Sequence, residues 1–238
     1  MTKLSVNINK LATLRNARGK NNPDLTKWAQ KIESYGSQGI TVHPRPDERH
    51  IRRSDVYSLK EIVSTEFNIE GYPSDEFLGL IEKINPDQCT LVPDPPEALT
   101  SNAGWVVSNS LELLKKTMNK LRPLGVRVSV FMEPKTTSLE DLKTLKELGV
   151  HRIEIYTEDF ALEPDNESVL NSYRKLADDS LSVGLELNAG HDLNQKNLSQ
   201  LLKVIPEIKE VSIGHALICE ALEDGMEATI NSYLKILS

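Results

Sequence analysis

The sequence of 238 residues has few cysteines and no long apolar run. Its two cysteines, Cys89 and Cys219, are too few for a disulfide framework or a four-cysteine zinc site. A membrane-spanning helix needs about 20 consecutive apolar residues, so we expect no contact with a membrane. The first ten residues lack the apolar core of a signal peptide, and we therefore expect a cytoplasmic protein.

Phosphate-binding motifs of nucleotide enzymes are also missing. Residues 7–12, after the first apolar segment, contain no Gly-x-Gly-x-x-Gly, and no Walker loop occurs. The formal net charge of −7 argues against a nucleic-acid partner. The first 60 residues nevertheless carry a net charge of +7. This basic quarter indicates either a local anion site or a solvated basic face.

What the chain does contain is a regular series of short apolar segments, each followed by a helical pattern. Hydrophobic residues make up 39% of the chain, enough for a real core. Eight segments are predicted as strands because they are short, apolar and bounded by polar residues: Leu4–Ile8, Gly39–His43, Phe67–Glu70, Cys89–Val92, Val126–Phe131, Arg152–Tyr156, Gly184–Asn188 and Val211–Gly214.

Strands that alternate with helices indicate parallel βα units. Helix start signals agree with this reading: Ser138 and Asp141 have the spacing of a capping box, and Ser74 precedes a helical stripe. Eight units of about 30 residues match the size of a barrel. We predict an α/β fold, a (β/α)8 TIM barrel in which residues 1–238 form a single domain. A doubly wound open sheet is the competing fold.

Several predicted strands alternate polar and apolar residues, as in Thr41/His43 against Ile40/Val42. Helices cover the outside of a barrel, so the apolar set is expected to face outward and the polar set inward. Burying polar groups without partners costs free energy. Inward polar side chains near strand ends therefore indicate a site.

The active site of this architecture lies at the carboxyl ends of the strands. Histidine and glutamate are the usual general acids and bases, and one group of candidates follows predicted strands. We interpret His151, which precedes a strand, as structural. The candidates are Asn7, Asn9, His43, His50, Glu70, Glu154, Asn188, His191 and His215.

Two segments are candidate anion sites. One is residues 43–50, where Arg45 and Arg49 supply forked donors for phosphate. The other joins Gly190 and Gly214, which let the backbone approach an anion beside a short helix starting at Ala216; both glycines are also consistent with plain turns. Metal ligation is the rival use of the histidines and glutamates, but His-Glu-x-x-His and paired cysteines are absent.

Several motifs together resemble the pyridoxine 5′-phosphate synthase family, the ring-closing enzymes of vitamin B6 synthesis. The resemblance covers essentially the whole chain, and eight matches occur in the family's order. They are Val6-Asn7-Ile8, Ala12-Thr13-Leu14-Arg15-Asn16-Ala17-Arg18-Gly19, Gly39-Ile40-Thr41-Val42-His43, Arg49-His50-Ile51, Asn68-Ile69-Glu70, Leu91-Val92-Pro93, Asn188-Ala189-Gly190-His191 and Ile213-Gly214-His215-Ala216.

The resemblance implies a barrel that condenses 3-amino-2-oxopropyl phosphate with 1-deoxy-D-xylulose 5-phosphate. The products implied are pyridoxine 5′-phosphate, phosphate and water, with no metal or organic cofactor. His43 is similar to the family's proton acceptor, Glu70 to a second general base, and His191 to the proton donor. Glu154 matches a residue that stabilises a transition state. A homo-octamer, built as a tetramer of dimers, is also implied.

Substrate contacts are implied by the same matches. Arg45, His50 and Thr100 resemble contacts to the xylulose phosphate, whereas Asn7, Arg18, Gly214 and His215 resemble contacts to the aminoketone phosphate. Residues 93–104 resemble a lid.

Three further contact positions depart from the family's usual residues. Asn9-Lys10 replaces Asp-His, and Asp192 replaces Gly. Asn9 keeps hydrogen bonding without charge, and Lys10 is still able to meet an anion.

Two other functions compete with the synthase. One is a metal-dependent aldolase or epimerase that acts on a sugar phosphate. The other is a binding protein for phosphorylated metabolites that has lost the reaction, a hypothesis motivated by Asn9-Lys10.

Overall fold

Eight parallel strands pair in sequence order, and the last also pairs with the first, so the sheet closes into a barrel. The computed structural model describes residues 1–94 and 103–238. The predicted (β/α)8 TIM barrel is confirmed, and the open sheet is wrong because each of the eight strands in these residues pairs with a neighbour on both sides. The strands are β1 Lys3–Asn7, β2 Gly39–Val42, β3 Glu66–Gly71, β4 Gln88–Leu91, β5 Arg127–Met132, β6 Arg152–Ile155, β7 Glu186–Ala189 and β8 Ile208–Ile213.

Helices surround the barrel, and the described residues form eleven of them. None is long and apolar enough to cross a membrane within residues 1–94 and 103–238. They are α1 Asn9–Asn16, α2 Leu25–Ser34, α3 Arg53–Lys60, α4 Asp75–Ile84, α5 Val107–Leu121, α6 Leu139–Glu147, α7 Glu158–Leu162, α8 Glu167–Ser182, α9 Leu198–Val204, α10 His215–Asp224 and α11 Met226–Leu237.

Local sequence signals explain where several helices begin. The Ser74 hydroxyl accepts a hydrogen bond from the Phe77 N–H at the start of α4. Ser138 and Asp141 form the predicted capping box of α6. Such caps satisfy amide groups that have no partner within the helix.

Strand boundaries differ from the predictions mainly at β7 and β8. Gly184 was predicted inside a strand, but its φ of +80° is the left-handed region that ends a helix, so β7 begins at Glu186. β8 begins at Ile208 rather than Val211. The charged pair Lys209-Glu210 hid this start, although Glu210 lies buried inside the barrel.

The barrel interior is polar near its middle, as the alternation predicted. Ser5 and Thr41 share a hydrogen bond of 2.7 Å between their hydroxyls. The Asn68 amide donates to the Thr41 hydroxyl at 3.3 Å, and the Thr90 hydroxyl donates to Asn68 at 3.2 Å. These contacts join β1, β2, β3 and β4, and they give these four buried polar side chains the partners that burial requires.

A second buried network lies towards the amino ends of the strands. Arg152 Nη1 donates to Gln88 and Asn188, each at 3.3 Å, and lies 3.5 Å from Glu210 Oε2. The Gln88 amide donates to Glu210 at 3.2 Å. Four strands are thereby linked across the interior by one guanidinium and its neighbours.

Candidate active site

Four predicted site residues meet at the carboxyl ends of β1, β2 and β3. His43 Nδ1 lies 3.8 Å from Glu70 Oε2, and both side chains are largely buried. The Asn7 amide donates to Glu70 Oε2 at 3.4 Å. Asn9 Oδ1 accepts from the His43 backbone N–H at 2.9 Å. Asn9 therefore positions His43 through the backbone, which needs an amide or carboxylate oxygen and does not need the charge of Asp.

The glutamates of this site hold their protons unusually tightly. Burial and the charge of Asp94 raise the pKa of Glu70 to about 8, against the opposing charge of Arg45. Burial and the neighbouring Glu70 raise the pKa of Glu154 to about 8 as well. A carboxyl group with a pKa near neutral is suited to both accepting and donating protons.

Two histidines in the same region have pKa values that are lowered rather than raised. Burial, followed by the charges of Arg45, His50 and Arg49, lowers the pKa of His43 well below its usual range. Burial and the charge of Arg45 likewise lower the pKa of His50 to about 4. Both rings are therefore neutral at neutral pH, and a neutral ring is able to accept a proton.

Glu154 points into the site from β6 and is only 4% exposed. Its Oε2 is buried and has no hydrogen-bond partner among residues 1–94 and 103–238. A Cβ at Gly190 would lie 2.6 Å from Glu154 Oε1 and 3.0 Å from the Ser212 carbonyl. Gly190 is therefore required for close packing against the glutamate, beyond any role in a turn.

His191 lies on the opposite side of the site, after β7. Asp192 Oδ2 lies 2.9 Å from His191 Nδ1, and this contact is the leading cause of the lowered pKa of Asp192. An ionised carboxylate only accepts hydrogen bonds, so the His191 Nδ1–H donates to Asp192. The ring also contacts Tyr156 edge to face at 5.4 Å. The Thr157 hydroxyl donates to the Gly190 carbonyl at 2.6 Å and to that of His191.

Asp192 lies at a position with special backbone geometry. Its φ is +62°, a conformation that favours glycine but that Asp adopts more readily than most residues. The side chain turns towards His191.

Arg45 is buried and is paired with a residue that sequence reasoning missed. Its Nη2 donates to Asp94 Oδ2 at 2.9 Å, and the two side chains are 5% and 2% exposed. Both line a cavity together with His43 and Tyr72. An acidic residue three positions after the end of β4 was the available signal, since the rule that selected Glu70 and Glu154 applies equally to Asp94.

The His50 loop is held by the motif that contains Arg15 and Asn16. Arg15 is 3% exposed and makes two hydrogen bonds to Asp55, of 2.6 and 2.9 Å. Arg15 and Asn16 both donate to the His50 carbonyl, at 3.2 and 2.8 Å. His50 Nδ1 accepts from the Ile51 N–H at 2.9 Å, so the neutral ring carries its proton on Nε2.

The β8–α10 junction approaches β1 closely. A Cβ at Gly214 would lie 3.1 Å from the Asn7 Cβ. The helix begins at His215, one residue earlier than predicted. Because Gly214 caps this helix, the first amides of α10 are available to an anion near Asn7.

Other predicted contacts lie at the edge of this arrangement or outside the described residues. His215 is exposed and lies 3.7 Å from Cys219 Sγ. Lys10 is exposed, and its charge contributes to the lowered pKa of His50. Arg18 is also exposed, and within the described part of the chain the structure does not bring it to the buried cluster. Thr100 lies outside the described residues, as does most of the predicted lid 93–104.

His151 has the structural role that was predicted. Its Nδ1 accepts from the Val128 N–H at 3.0 Å, at the end of the barrel remote from the site. No cluster of three or more His, Cys, Asp or Glu side chains arranged to hold a metal ion occurs within residues 1–94 and 103–238.

The family of this chain follows from its sequence. Residues 4–238 match the family described as pyridoxal phosphate biosynthesis protein PdxJ. The chain belongs to this family. It is 53% identical over 239 residues to the pyridoxine 5′-phosphate synthase of Cytophaga hutchinsonii, covering 100% of this chain and 99% of the relative. It is 51% identical to the enzyme of the same name from Porphyromonas gingivalis, covering 98% of each chain.

Solved structures with low sequence identity support the fold alone. A mutant tryptophan synthase alpha-subunit from Pyrococcus furiosus has a TM-score of 0.63 at 14% identity, covering 99% of this chain and 96% of that one. A thiamine phosphate pyrophosphorylase from the same organism has a TM-score of 0.61 at 12% identity, covering 99% and 95%.

Proposed function

We propose that this chain is a pyridoxine 5′-phosphate synthase that condenses 3-amino-2-oxopropyl phosphate with 1-deoxy-D-xylulose 5-phosphate. The products are pyridoxine 5′-phosphate, inorganic phosphate and water. Family membership supports the overall activity. The observation that carries the mechanism is the His43–Glu70 contact of 3.8 Å, in which a neutral imidazole faces a carboxyl group with a pKa of about 8.

The proposed reaction moves protons at every step. The amine of one substrate adds to the ketone of the other, water leaves, phosphate is eliminated, and a carbon–carbon bond closes the ring. His43 and Glu70 accept protons in this scheme, and His191 donates one to a leaving oxygen. Glu70, with a pKa of about 8, titrates near the working pH and is suited to such transfers.

Glu154 has a different proposed role. Its Oε2 is buried without a hydrogen-bond partner among the described residues, so a cationic or N–H group of a bound intermediate would satisfy it. A fixed acceptor stabilises charge that develops in the transition state more effectively than water does, because it needs no reorientation.

Two anion sites would hold the two phosphates. On the side of the site near β2, Arg45 presents a guanidinium and His50 an Nε2–H group to the phosphate of 1-deoxy-D-xylulose 5-phosphate. Further proposed contacts to this substrate are Asn9, Lys10 and Thr100. The amides of α10 beside Gly214 serve the second phosphate, and the remaining proposed contacts there are Asn7, Arg18, Asp192 and His215.

Turnover with both substrates tests the proposal. Purified protein is incubated with the two phosphorylated substrates. The release of inorganic phosphate and the formation of pyridoxine 5′-phosphate are measured with and without EDTA. We expect equal amounts of both products and the same rate in EDTA. Binding of each substrate without any product in a single turnover would indicate a binding protein, and loss of activity in EDTA would indicate a metal-dependent enzyme.

We also propose that the protein assembles as a homo-octamer, a tetramer of dimers, and acts in the cytoplasm. The resemblance to the family supports the assembly. Sedimentation velocity measures the assembly directly, and a monomer at micromolar concentration would contradict it.

A further inference from the structure

Asp94 lies at the carboxyl end of β4 and faces the predicted phosphate contact Arg45. The two side chains form an ion pair of 2.9 Å and are almost completely buried. They come from different loops, 49 residues apart in sequence. A buried arginine whose partner is removed is left with an uncompensated charge, so the position of Arg45 depends on Asp94.

The backbone of Arg45 is constrained as well. Pro44 and Pro46 flank it and restrict its neighbours, and its carbonyl accepts from the Glu48 N–H at 3.0 Å. With the backbone fixed, the remaining freedom is in the long side chain. The bond to Asp94 removes that freedom while using one of the five N–H donors of the guanidinium, so donors are left for a phosphate.

The same pair lies beside Glu70. Asp94 contributes the largest charge effect that raises the pKa of Glu70, and Arg45 opposes it. Other titratable groups also face this carboxyl from the surrounding strands, and the effect of Asp94 adds to theirs. They are His43 from β2, Glu154 from β6 and Glu210 from β8.

We propose that Asp94 is a positioning residue: it holds the Arg45 guanidinium in place for the phosphate of 1-deoxy-D-xylulose 5-phosphate and balances its charge beside Glu70. This inference rests on the proposed function. A purely structural role for Asp94 makes a different prediction, because loosening the loop alone would impair both substrates alike and leave the titration of Glu70 unchanged.

Three substitutions separate the two roles of Asp94, which are to orient Arg45 and to supply a negative charge. Asp94→Ala removes both the acceptor oxygen and the charge. Asp94→Asn keeps an acceptor oxygen without charge, and Asp94→Glu keeps the charge. We expect Asp94→Ala to raise KM for the xylulose phosphate about 10-fold, the loss of one charge-assisted hydrogen bond. KM for the aminoketone phosphate stays within about twofold of wild type. In Asp94→Asn, KM for the xylulose phosphate returns most of the way to the wild-type value.

The pH profile of kcat/KM tests the effect of the Asp94 charge on the pKa of Glu70. Removing a negative charge lowers the pKa of a neighbouring carboxyl group, so the acidic limb moves to lower pH in Asp94→Ala and Asp94→Asn. It stays in place in Asp94→Glu. Asp75→Asn is the matched control, because Asp75 is an exposed carboxylate on α4 that pairs with two lysines.

Binding of 1-deoxy-D-xylulose 5-phosphate by calorimetry keeps this test separate from turnover. If wild type makes no product, the proposed function fails, and the calorimetric comparison of wild type with Asp94→Ala still tests Asp94. An equal rise of both KM values with an unchanged acidic limb would overturn the proposal. If Asp94→Ala does not fold, Asp94→Asn and Asp94→Glu still test the proposal, because only Asp94→Asn is expected to move the acidic limb of the pH profile.

Discussion

At the scale of single residues, the site is defined by carboxyl groups that resist ionisation. Burial raises the pKa of both Glu70 and Glu154 to about 8, and each carboxylate would lie in a place with little water to solvate it. A group selected for proton transfer near neutral pH therefore weakens the fold under the same conditions, a common trade between activity and stability.

The substitution Glu154→Gln tests whether this residue lowers stability while supporting activity. The folded pKa of about 8 exceeds the ordinary value of 4.5, so the folded state binds more protons and stability falls as pH rises between these values. Glutamine does not ionise. We expect turnover to fall at least ~100-fold, and the Tm to match wild type near pH 5 but exceed it by ~6–12 °C at pH 8, about 3 kcal/mol.

Circular dichroism melts at both pH values provide the measurement. Glu147→Gln makes the same chemical change at an exposed position of α6 and is expected to leave the Tm unchanged at each pH. A Tm difference for Glu154→Gln that is the same at pH 5 and pH 8 would rule out the ionisation argument.

At the scale of elements, close approach between loops shapes the site. Gly190 follows β7 and leaves no room for a side chain beside Glu154. A methyl group there would push the Glu154 carboxyl or the Ser212 carbonyl aside. A displacement of about 1 Å in a catalytic group is enough for a ~100-fold loss of rate.

Gly190→Ala is therefore expected to lower kcat by about 10- to 100-fold while the protein still folds. Gly79→Ala is the matched control, since Gly79 lies within α4 and a Cβ there meets nothing within 4 Å. Alanine is favoured over glycine in a helix by ~0.5–1 kcal/mol, so Gly79→Ala keeps full activity and melts at the same or a higher temperature. Equal kcat values for the two variants would contradict the steric argument.

Elements also show what the sequence was able to predict. Polar–apolar alternation in β2 and β3 predicted an inward polar set, and the hydrogen bonds of Asn68 confirm it. The order of the strands followed from the alternation with helices. The start of β8 did not, because Lys209 and Glu210 look like a surface pair until the barrel closes around Glu210.

Contacts between distant loops were the part that local patterns did not reveal. The strand-end rule placed His43 and Glu70 at one end of the barrel. It did not show that Asn9 holds His43 through the backbone, nor that Arg45 is paired with Asp94. Such pairings depend on how loops from separate βα units turn towards each other, and nothing in the spacing of one unit specifies that.

At the scale of the whole molecule, buried charges link strands across the barrel. Arg152 contacts Gln88, Asn188 and Glu210 from β4, β7 and β8. Burial and the neighbouring Glu66 raise the pKa of Glu210 well above its usual range. The network therefore depends on one guanidinium more than on the charge of Glu210.

Arg152→Ala is expected to lower the free energy of unfolding by ~3–5 kcal/mol, because it leaves buried acceptors without their donor. Glu210→Gln keeps hydrogen-bonding groups of the same shape, so we expect a change within ~1 kcal/mol. Urea unfolding at pH 7 measures both. A loss for Glu210→Gln as large as that for Arg152→Ala would show that the carboxylate charge is the essential component.

Closure of the barrel has a consequence for synthesis on the ribosome. β1 pairs with β8, and the Thr2 hydroxyl donates to the Ile208 carbonyl across 206 residues of chain. At a translation rate of ~5–20 residues per second, β8 follows β1 by about 10–40 s. During this interval one edge of β1 has no partner, and an unpaired apolar edge readily joins other chains. The nascent protein is therefore open to edge-to-edge association until its last strand emerges.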